Sequence, residues 1–362
     1  MRHSNVIPAG TVAHRTAASV ACVGLLATLA SAACGPTPAR EAVRVGDRQF
    51  VDAPYDTLWT HASDASAPFV TPEYLATDGR NVYVGDAGRQ SIYAFDARTG
   101  ALRWRTTGGS DSSAVGAPRA MTPRRTGGVV AFDADRRALV RLAPDGRVDG
   151  RTSVPAIEVA QSLCELPDGA LLIAVMGSSA GLMRVSPTGA PLGVHALPWP
   201  DLGHASGLVT ASLLAPVPDG CVSALALGRG FALFRTARFA SPRSYVEPMA
   251  LPEVVTRRET HGSAVTVSTT LTEHVMAAQD VTASADAIVI AFDGRTHDRA
   301  HVLDVYDTAG AYRMSYRTGR RVEAVAASDS ALFMLVHRDG VPVVVALRWP
   351  PRARAATPGS RR

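Results

Sequence analysis

Lysine is missing from this chain altogether: all 37 basic residues are arginine, set against 32 acids. The formal charge of +5 and the high isoelectric point would ordinarily raise a polyanionic partner,. The excess, however, sits at the two ends. Arg2 and Arg15 precede residue 34, and Arg348, Arg352, Arg354, Arg361 and Arg362 fall in the last fifteen residues, with no acid in either stretch. Taking those seven from 37 leaves 30 arginines against 32 acids, a near-neutral body without a basic stripe. That excludes a nucleic-acid partner. Cysteine is equally scarce, at four residues (Cys22, Cys34, Cys164, Cys221), and none of the spacings is that of a thiolate metal site,. Aromatics make up only 6%, so packing must lean on Val, Leu, Ala and Ile. No apolar pattern holds a 3.6-residue period over three turns, which excludes a helical fold.

What is present begins with a processing segment. Arg2 and Arg15 flank the start, Ala17 to Ala33 is an uncharged apolar run, and small residues follow. Residues 1–33 therefore read as an export signal. The string Ser31-Ala-Ala-Cys34, followed by Gly35-Pro-Thr-Pro, resembles a bacterial lipobox, which implies lipidation of Cys34. Ser31 stands where that pattern usually has Leu, so simple cleavage stays open. Residues 34–52 carry Pro36, Pro38 and several charges and read as a tether. Export leads to an oxidising compartment, where a Cys164–Cys221 disulfide can persist; two buried free thiols are the alternative.

From Tyr55 onward, apolar strand runs alternate with turn signals. The turn entering the strongest strand of each unit recurs at Asp78-Gly79, Gly127-Gly128, Asp168-Gly169, Asp219-Gly220, Asp286-Ala287 and Asp329-Ser330,. The intervals are those of four-stranded propeller blades, except for a long gap between residues 220 and 287,. The expected fold is all-β, a six-bladed β-propeller over residues 53–350. The gap holds either an insertion around Ser241 to His274 or a seventh blade at Ala264 to Leu271. The final unit runs out at Trp349-Pro350 before a fourth strand. The orphan strand Asp56-Thr-Leu-Trp-Thr-His61 is expected to supply it and close the ring. The Arg-rich stretch 351–362 reads as a disordered tail.

One unit carries a family resemblance. Val82-Tyr-Val-Gly-Asp86, Ile92-Tyr-Ala-Phe-Asp96 and Gly100 resemble the NHL-type repeat of six-bladed propellers. Ile92 to Trp104 is also similar to the repeat of quinoprotein-type propellers, of which eight-bladed forms exist. The better fit on blade count is a bacterial six-bladed propeller lipoprotein. Neither resemblance brings a cofactor with it. Quinoprotein enzymes use a vicinal Cys pair and an Asn-containing calcium site, and propeller lactonases hold a divalent metal with carboxylate and Asn oxygens. Beyond the signal segment this chain has one Asn, Asn81, beside a turn. No cofactor and no metal are therefore expected.

Catalytic motifs are weak. Gly177-Ser-Ser-Ala-Gly181 matches a nucleophile string, but strands flank Ser179 where a helix is required. His297 and His301 stand four apart in a hairpin connection, not on a helix. Asp86, Asp96, Asp133, Asp293 and Asp307 recur at strand ends, where Asp caps turns through backbone N–H groups; ringing a channel mouth is the alternative. The reading is an exported, lipid-anchored, monomeric scaffold of the cell envelope. It would bind an envelope protein or extracytoplasmic ligand through blade-connecting loops. A channel-centred hydrolase or lyase stays as the alternative.

Overall fold

A computed structural model describes residues 48–51, 56–109, 115–175, 181–202, 209–261, 264–272, 276–294 and 301–349. The segment read as a signal, Cys34, most of the tether, Ser179, His297 and the Arg-rich tail lie outside these residues. A first strand, β1 (Thr57–Ala62), precedes six small antiparallel sheets. Blade 1 is β2 (Pro72–Thr77), β3 (Asn81–Asp86), β4 (Ser91–Asp96) and β5 (Leu102–Arg105). Blade 2 is β6 (Pro118–Pro123), β7 (Val129–Asp133), β8 (Ala138–Leu142) and β9 (Val148–Ser153). Blade 3 is β10 (Ala160–Glu165), β11 (Leu171–Val175), β12 (Gly181–Val185) and β13 (Pro191–Ala196). Blade 4 has β14 (Ser212–Val217), β15 (Gly220–Leu225) and β16 (Gly230–Arg235). Two short strands, β17 (Arg238–Phe239) and β18 (Arg243–Ser244), share its outer edge.

A separate hairpin, β19 (Val254–His261) with β20 (Ala264–Leu271), follows blade 4. It resolves the long gap: Ala264–Leu271 pairs only with β19 and is no seventh blade. Blade 5 is β21 (Ala278–Ala283), β22 (Ala287–Phe292), β23 (Val302–Asp307) and β24 (Tyr312–Arg317). Blade 6 is β25 (Val322–Ala327), β26 (Ala331–Arg338) and β27 (Val341–Arg348). Its fourth strand is β1, antiparallel to β27 from Thr57 opposite Leu347 to Ala62 opposite Val343. The ring is thus closed by strands from opposite ends of the described chain, as the orphan strand implied. The innermost strands β2, β6, β10, β14, β21 and β25 each pack against the next, and β25 against β2.

The strands are apolar on both sides because both faces are buried between blades. Val82, Val84 and Phe95 of blade 1 pack with Phe333, Leu335 and Val344 of blade 6. Outer strands alternate, as in Leu102 to Arg105, where every second residue is exposed,. A repeated seam joins the outer edges. Trp59 donates its indole N–H to the Ala97 carbonyl of the next blade at 2.9 Å, and its ring lies over Gly100. Trp104 repeats this one blade on, donating to Pro144 O at 2.8 Å over Gly146. Both glycines hold positive φ, +72° and +90°, and a Cβ at either would stand 2.7 Å or less from the indole.

Residues 48–51, read as the end of the tether, are docked on blade 5. Val51 N donates to Ser315 O (3.0 Å) and Ser315 N to Gln49 O (2.9 Å), which covers the outer edge of β24,. Arg48 reaches inward to the fully buried Asp304 (3.0 Å) and to Glu247 (2.6 Å), with its guanidinium over the Phe292 ring. Between blades 3 and 4 the structure joins Cys164 of β10 to Cys221 of β15, with Cα atoms 6.2 Å apart.

The seam can be isolated by comparing two glycines. Gly79 has φ +83° but open space where a Cβ would go, whereas Gly100 has both positive φ and the Trp59 ring. Gly79→Ala is expected to cost about 1 kcal/mol of backbone strain, and Gly100→Ala roughly 1–3 kcal/mol more from overpacking, in denaturant unfolding. Equal costs would show that the Trp59 seam contributes nothing.

Candidate functional site: the channel and its bulged mouth

The six inner strands enclose a channel of about 740 Å³ that runs from residue 73 at one mouth to Asp329 at the other. Its two ends are built differently. At the turn end, polar groups are tied to the scaffold. Asp78 receives Tyr83 Oη at 2.7 Å and Gly128 N of blade 2 at 2.8 Å. Asp329 receives Ala285 N of blade 5 at 2.9 Å. Arg124 is paired with Asp149 at 2.7 Å. Arg125 leaves blade 2, donates its backbone N–H to the Glu165 carboxylate of blade 3, and donates its guanidinium to Val217 O (2.8 Å) and Pro218 O (3.0 Å) of blade 4. One arginine therefore spans three blades.

The opposite mouth is set by β-bulges. In five of the six inner strands the register slips at the second residue: Glu73, Arg119, Gln161, Gln279 and Glu323. A bulge re-aims one side chain and recurs beside binding sites. Blade 4 keeps regular register and presents Leu213 at this place. Glu73 faces Arg119 at 3.8 Å, both exposed; Glu323 meets Arg321 at 3.1 Å and His337 at 3.9 Å.

Asp280, next to the Gln279 bulge, lines the channel and differs from these pairs. Its carboxylate accepts Val281 N and, across the seam, Val325 N of blade 6, both at 2.8 Å. Thr282 makes a parallel bond, accepting Ala327 N at 2.9 Å. These oxygens satisfy inner-strand N–H groups that have no strand partner on the channel side. On the other flank, blade 4 contributes Leu213 and Leu214 to the wall. Desolvation by these surroundings pushes the Asp280 carboxyl up to about 7, against the pull of its two amide bonds,. Also in the channel lining, Gln279 Oε1 and, on the far side of the ring, the Oγ1 of the fully buried Thr122 have no hydrogen-bond partner among the described residues.

The strand-end aspartates cap turns rather than ring the channel. Asp86 accepts Val70, Thr71 and Arg89 N–H, Asp96 accepts Arg98 and Thr99, and Asp307 accepts Ala309 and Ala311. Asp133 accepts Gly116 N and two arginines, Arg136 and Arg151. Asn81 corrects its sequence reading. It is fully buried at the blade 1–blade 2 boundary and donates to Tyr83 Oη and Pro144 O, rather than lying at a surface turn. The segments carrying Ser179 and His297 each join two paired antiparallel strands. His301 precedes β23 and stands apart from the channel lining. Among the described residues, no cluster of three His, Cys, Asp or Glu could hold a metal. Sequence reasoning missed Asp280 and the bulge ring, although each bulged residue is polar and stands at the second place of its strand.

The architecture defines a closed six-bladed β-propeller. No family model matches the sequence, and no curated protein matches it either. Solved structures give fold-level likeness only. Virginiamycin B lyase from Staphylococcus aureus is 12% identical with a TM-score of 0.47, over 78% of this chain and 83% of that one. Hydrazine synthase from Kuenenia stuttgartiensis is 13% identical with a TM-score of 0.49, over 81% and 98%. BamB from Moraxella catarrhalis is 14% identical with a TM-score of 0.41, over 83% and 95%. Likenesses this distant carry nothing about activity.

The raised Asp280 carboxyl fixes the sign of one pH effect. The folded state favours the protonated form, so the stability this group contributes is fully present below about pH 4 and lost as pH rises through 7. The loss is at most about 4 kcal/mol, reduced by water in the channel. Asp280→Asn is expected to flatten the fall in melting temperature between pH 5 and pH 8. An unchanged profile would mean that Asp280 titrates as an ordinary carboxylate.

Proposed function

We propose that this chain is an exported, lipid-anchored, non-catalytic scaffold of the cell envelope, which binds an envelope protein through one face of the propeller. The observation that carries this reading is the asymmetry of the two faces. On the turn end the connections within blades are short. On the bulged end the blade-to-blade connections are long, at residues 106–117, 197–211 and 245–277, and the last includes the β19–β20 hairpin. Loops on a rigid scaffold are where recognition concentrates. A two-stranded hairpin standing alone is marginal in water and gains stability from a partner. Arg257 and Arg258 of β19 are exposed, which gives the hairpin a polar contact surface.

Export is supported by the charged start, the apolar run and Ser31-Ala-Ala-Cys34,. The reading has the chain as a monomer, held at the membrane through Cys34 and similar to NHL-type six-bladed lipoproteins. It also gives the Cys164–Cys221 bridge a compartment in which to persist. With the cysteines 57 positions apart in sequence, the double Cys→Ser variant is expected to lose about 4 kcal/mol,.

Metabolic labelling with a clickable palmitate analogue, followed by affinity isolation from membranes, tests the proposal. The wild type is expected to be labelled, to sediment with membranes and to retain one envelope protein. Cys34→Ala should lose label and membrane, and removal of 254–271 should lose the partner while the melting transition persists. An unlabelled, soluble wild type would overturn the anchor, and a partner retained without the hairpin would overturn its role.

A further inference from the structure

The channel holds a carboxyl group, Asp280, that no cationic side chain among the described residues meets. The two arginines lining it, Arg124 and Arg125, are committed at the turn end to Asp149 and to Glu165 with the blade 4 carbonyls. At the bulged mouth Glu73 has Arg119, and Glu323 has Arg321. Asp280 has only two backbone N–H groups, and its walls are Leu213 and Leu214 on one flank and Val325 and Ala326 on the other. An ionised carboxylate in such surroundings is costly unless a cation meets it.

Two side-chain oxygens of the channel lining lack a hydrogen-bond partner among the described residues. Gln279, the preceding residue, lines the same channel and has a buried Oε1 without a partner, and Thr122 of blade 2, on the far side of the ring, has an unpartnered Oγ1. The bond from Val325 N brings the Asp280 carboxylate to the inner strand of blade 6, two residues from Glu323. A carboxylate and an unpartnered amide oxygen therefore stand on adjacent residues of the channel wall, and a cavity of about 740 Å³ is of the size that takes a small organic molecule,.

We propose that the channel of this propeller binds a protonated aliphatic amine, whose primary ammonium is received by Asp280 and Gln279 at the blade 5–blade 6 seam. A primary ammonium is a compact charge with three donors. It can bond the carboxylate, the Gln279 carbonyl oxygen and water together, while its alkyl chain lies along Leu213 and Leu214. A divalent metal does not fit, because calcium takes six to eight oxygens and one carboxylate beside one amide supplies too few. An anion is repelled. The site is independent of the loop face and of any anchor, so it stands or falls apart from the scaffold reading.

The test is calorimetry and thermal shift at pH 8, where Asp280 is ionised and the probes are protonated. The probes are butylamine, putrescine and spermidine, with tetramethylammonium, calcium chloride and glutarate as comparators. At least one primary amine is expected to saturate one site per chain with a Kd below about 10 mM and to raise the melting temperature. Asp280→Asn should weaken it at least about tenfold, and Gln279→Ala about threefold, each corresponding to loss of one hydrogen-bond partner. Gln279→Ala leaves every seam bond in place, so it tests the site even if Asp280→Asn fails to fold. No saturation by any primary amine, equal binding in either variant, or equal binding of tetramethylammonium, calcium or glutarate would each overturn the proposal.

Discussion

The pairing of β1 with β27 is the interaction on which the rest of the molecule depends. Blade 6 takes three strands from one end of the described chain and its fourth from the other, so the sheet cannot be completed until both ends meet. A six-blade arc without that strand would expose the edge of β27 and leave β2 without β25 as a neighbour. Closure removes the open edge. The loop it closes is long, but the entropic cost of closure grows only slowly with length. It is offset by burial on both faces of every middle strand. Trp59 then links the completed blade 6 to the turn of blade 1, so the closing strand also starts the outer seam.

Closure also creates the channel, and with it the contrast between the two ends. At the turn end Asp78, Arg124 and Asp329 are bonded into the scaffold, and Arg125 ties three blades together. At the other end Glu73, Gln161, Gln279 and Glu323, each at the second place of a bulged or irregular inner strand, line the opening. The two ends of the channel are thereby built differently. The docked residues 48–51 add a second fixing point, since the buried Arg48–Asp304–Glu247 cluster holds the start of the described chain on blade 5.

Much of this was legible in the residues. Asp78-Gly79, Asp168-Gly169 and Asp219-Gly220 mark hairpins because turn chemistry is local, and Asp56 to His61 stood out as a strand without a blade. The long gap after Gly220 was ambiguous because two alternating eight-residue strands look the same as an inserted hairpin or as half a blade; only pairing distinguishes them. Asn81 was misplaced for a related reason. Its neighbour Gly79 is a turn residue, but the Pro144 carbonyl that buries it lies in the next blade. Asp280 was invisible because its character comes from Val325 and Leu214, which approach only when the ring closes. Its signal was faint but present, in Gln279-Asp280 opening an otherwise apolar strand at the same place as Glu73, Gln161 and Glu323.

Ring closure by the first strand is the claim from which the channel, the seam and the mouth follow. Amide hydrogen exchange resolved to Thr57–Ala62 tests it directly. If β1 completes blade 6, the bonded amides of these residues exchange only with global unfolding, at the same free energy as the core amides of β26. Exchange of β1 orders of magnitude faster than β26, under conditions where β26 stays protected, would contradict it and leave the propeller open at one edge.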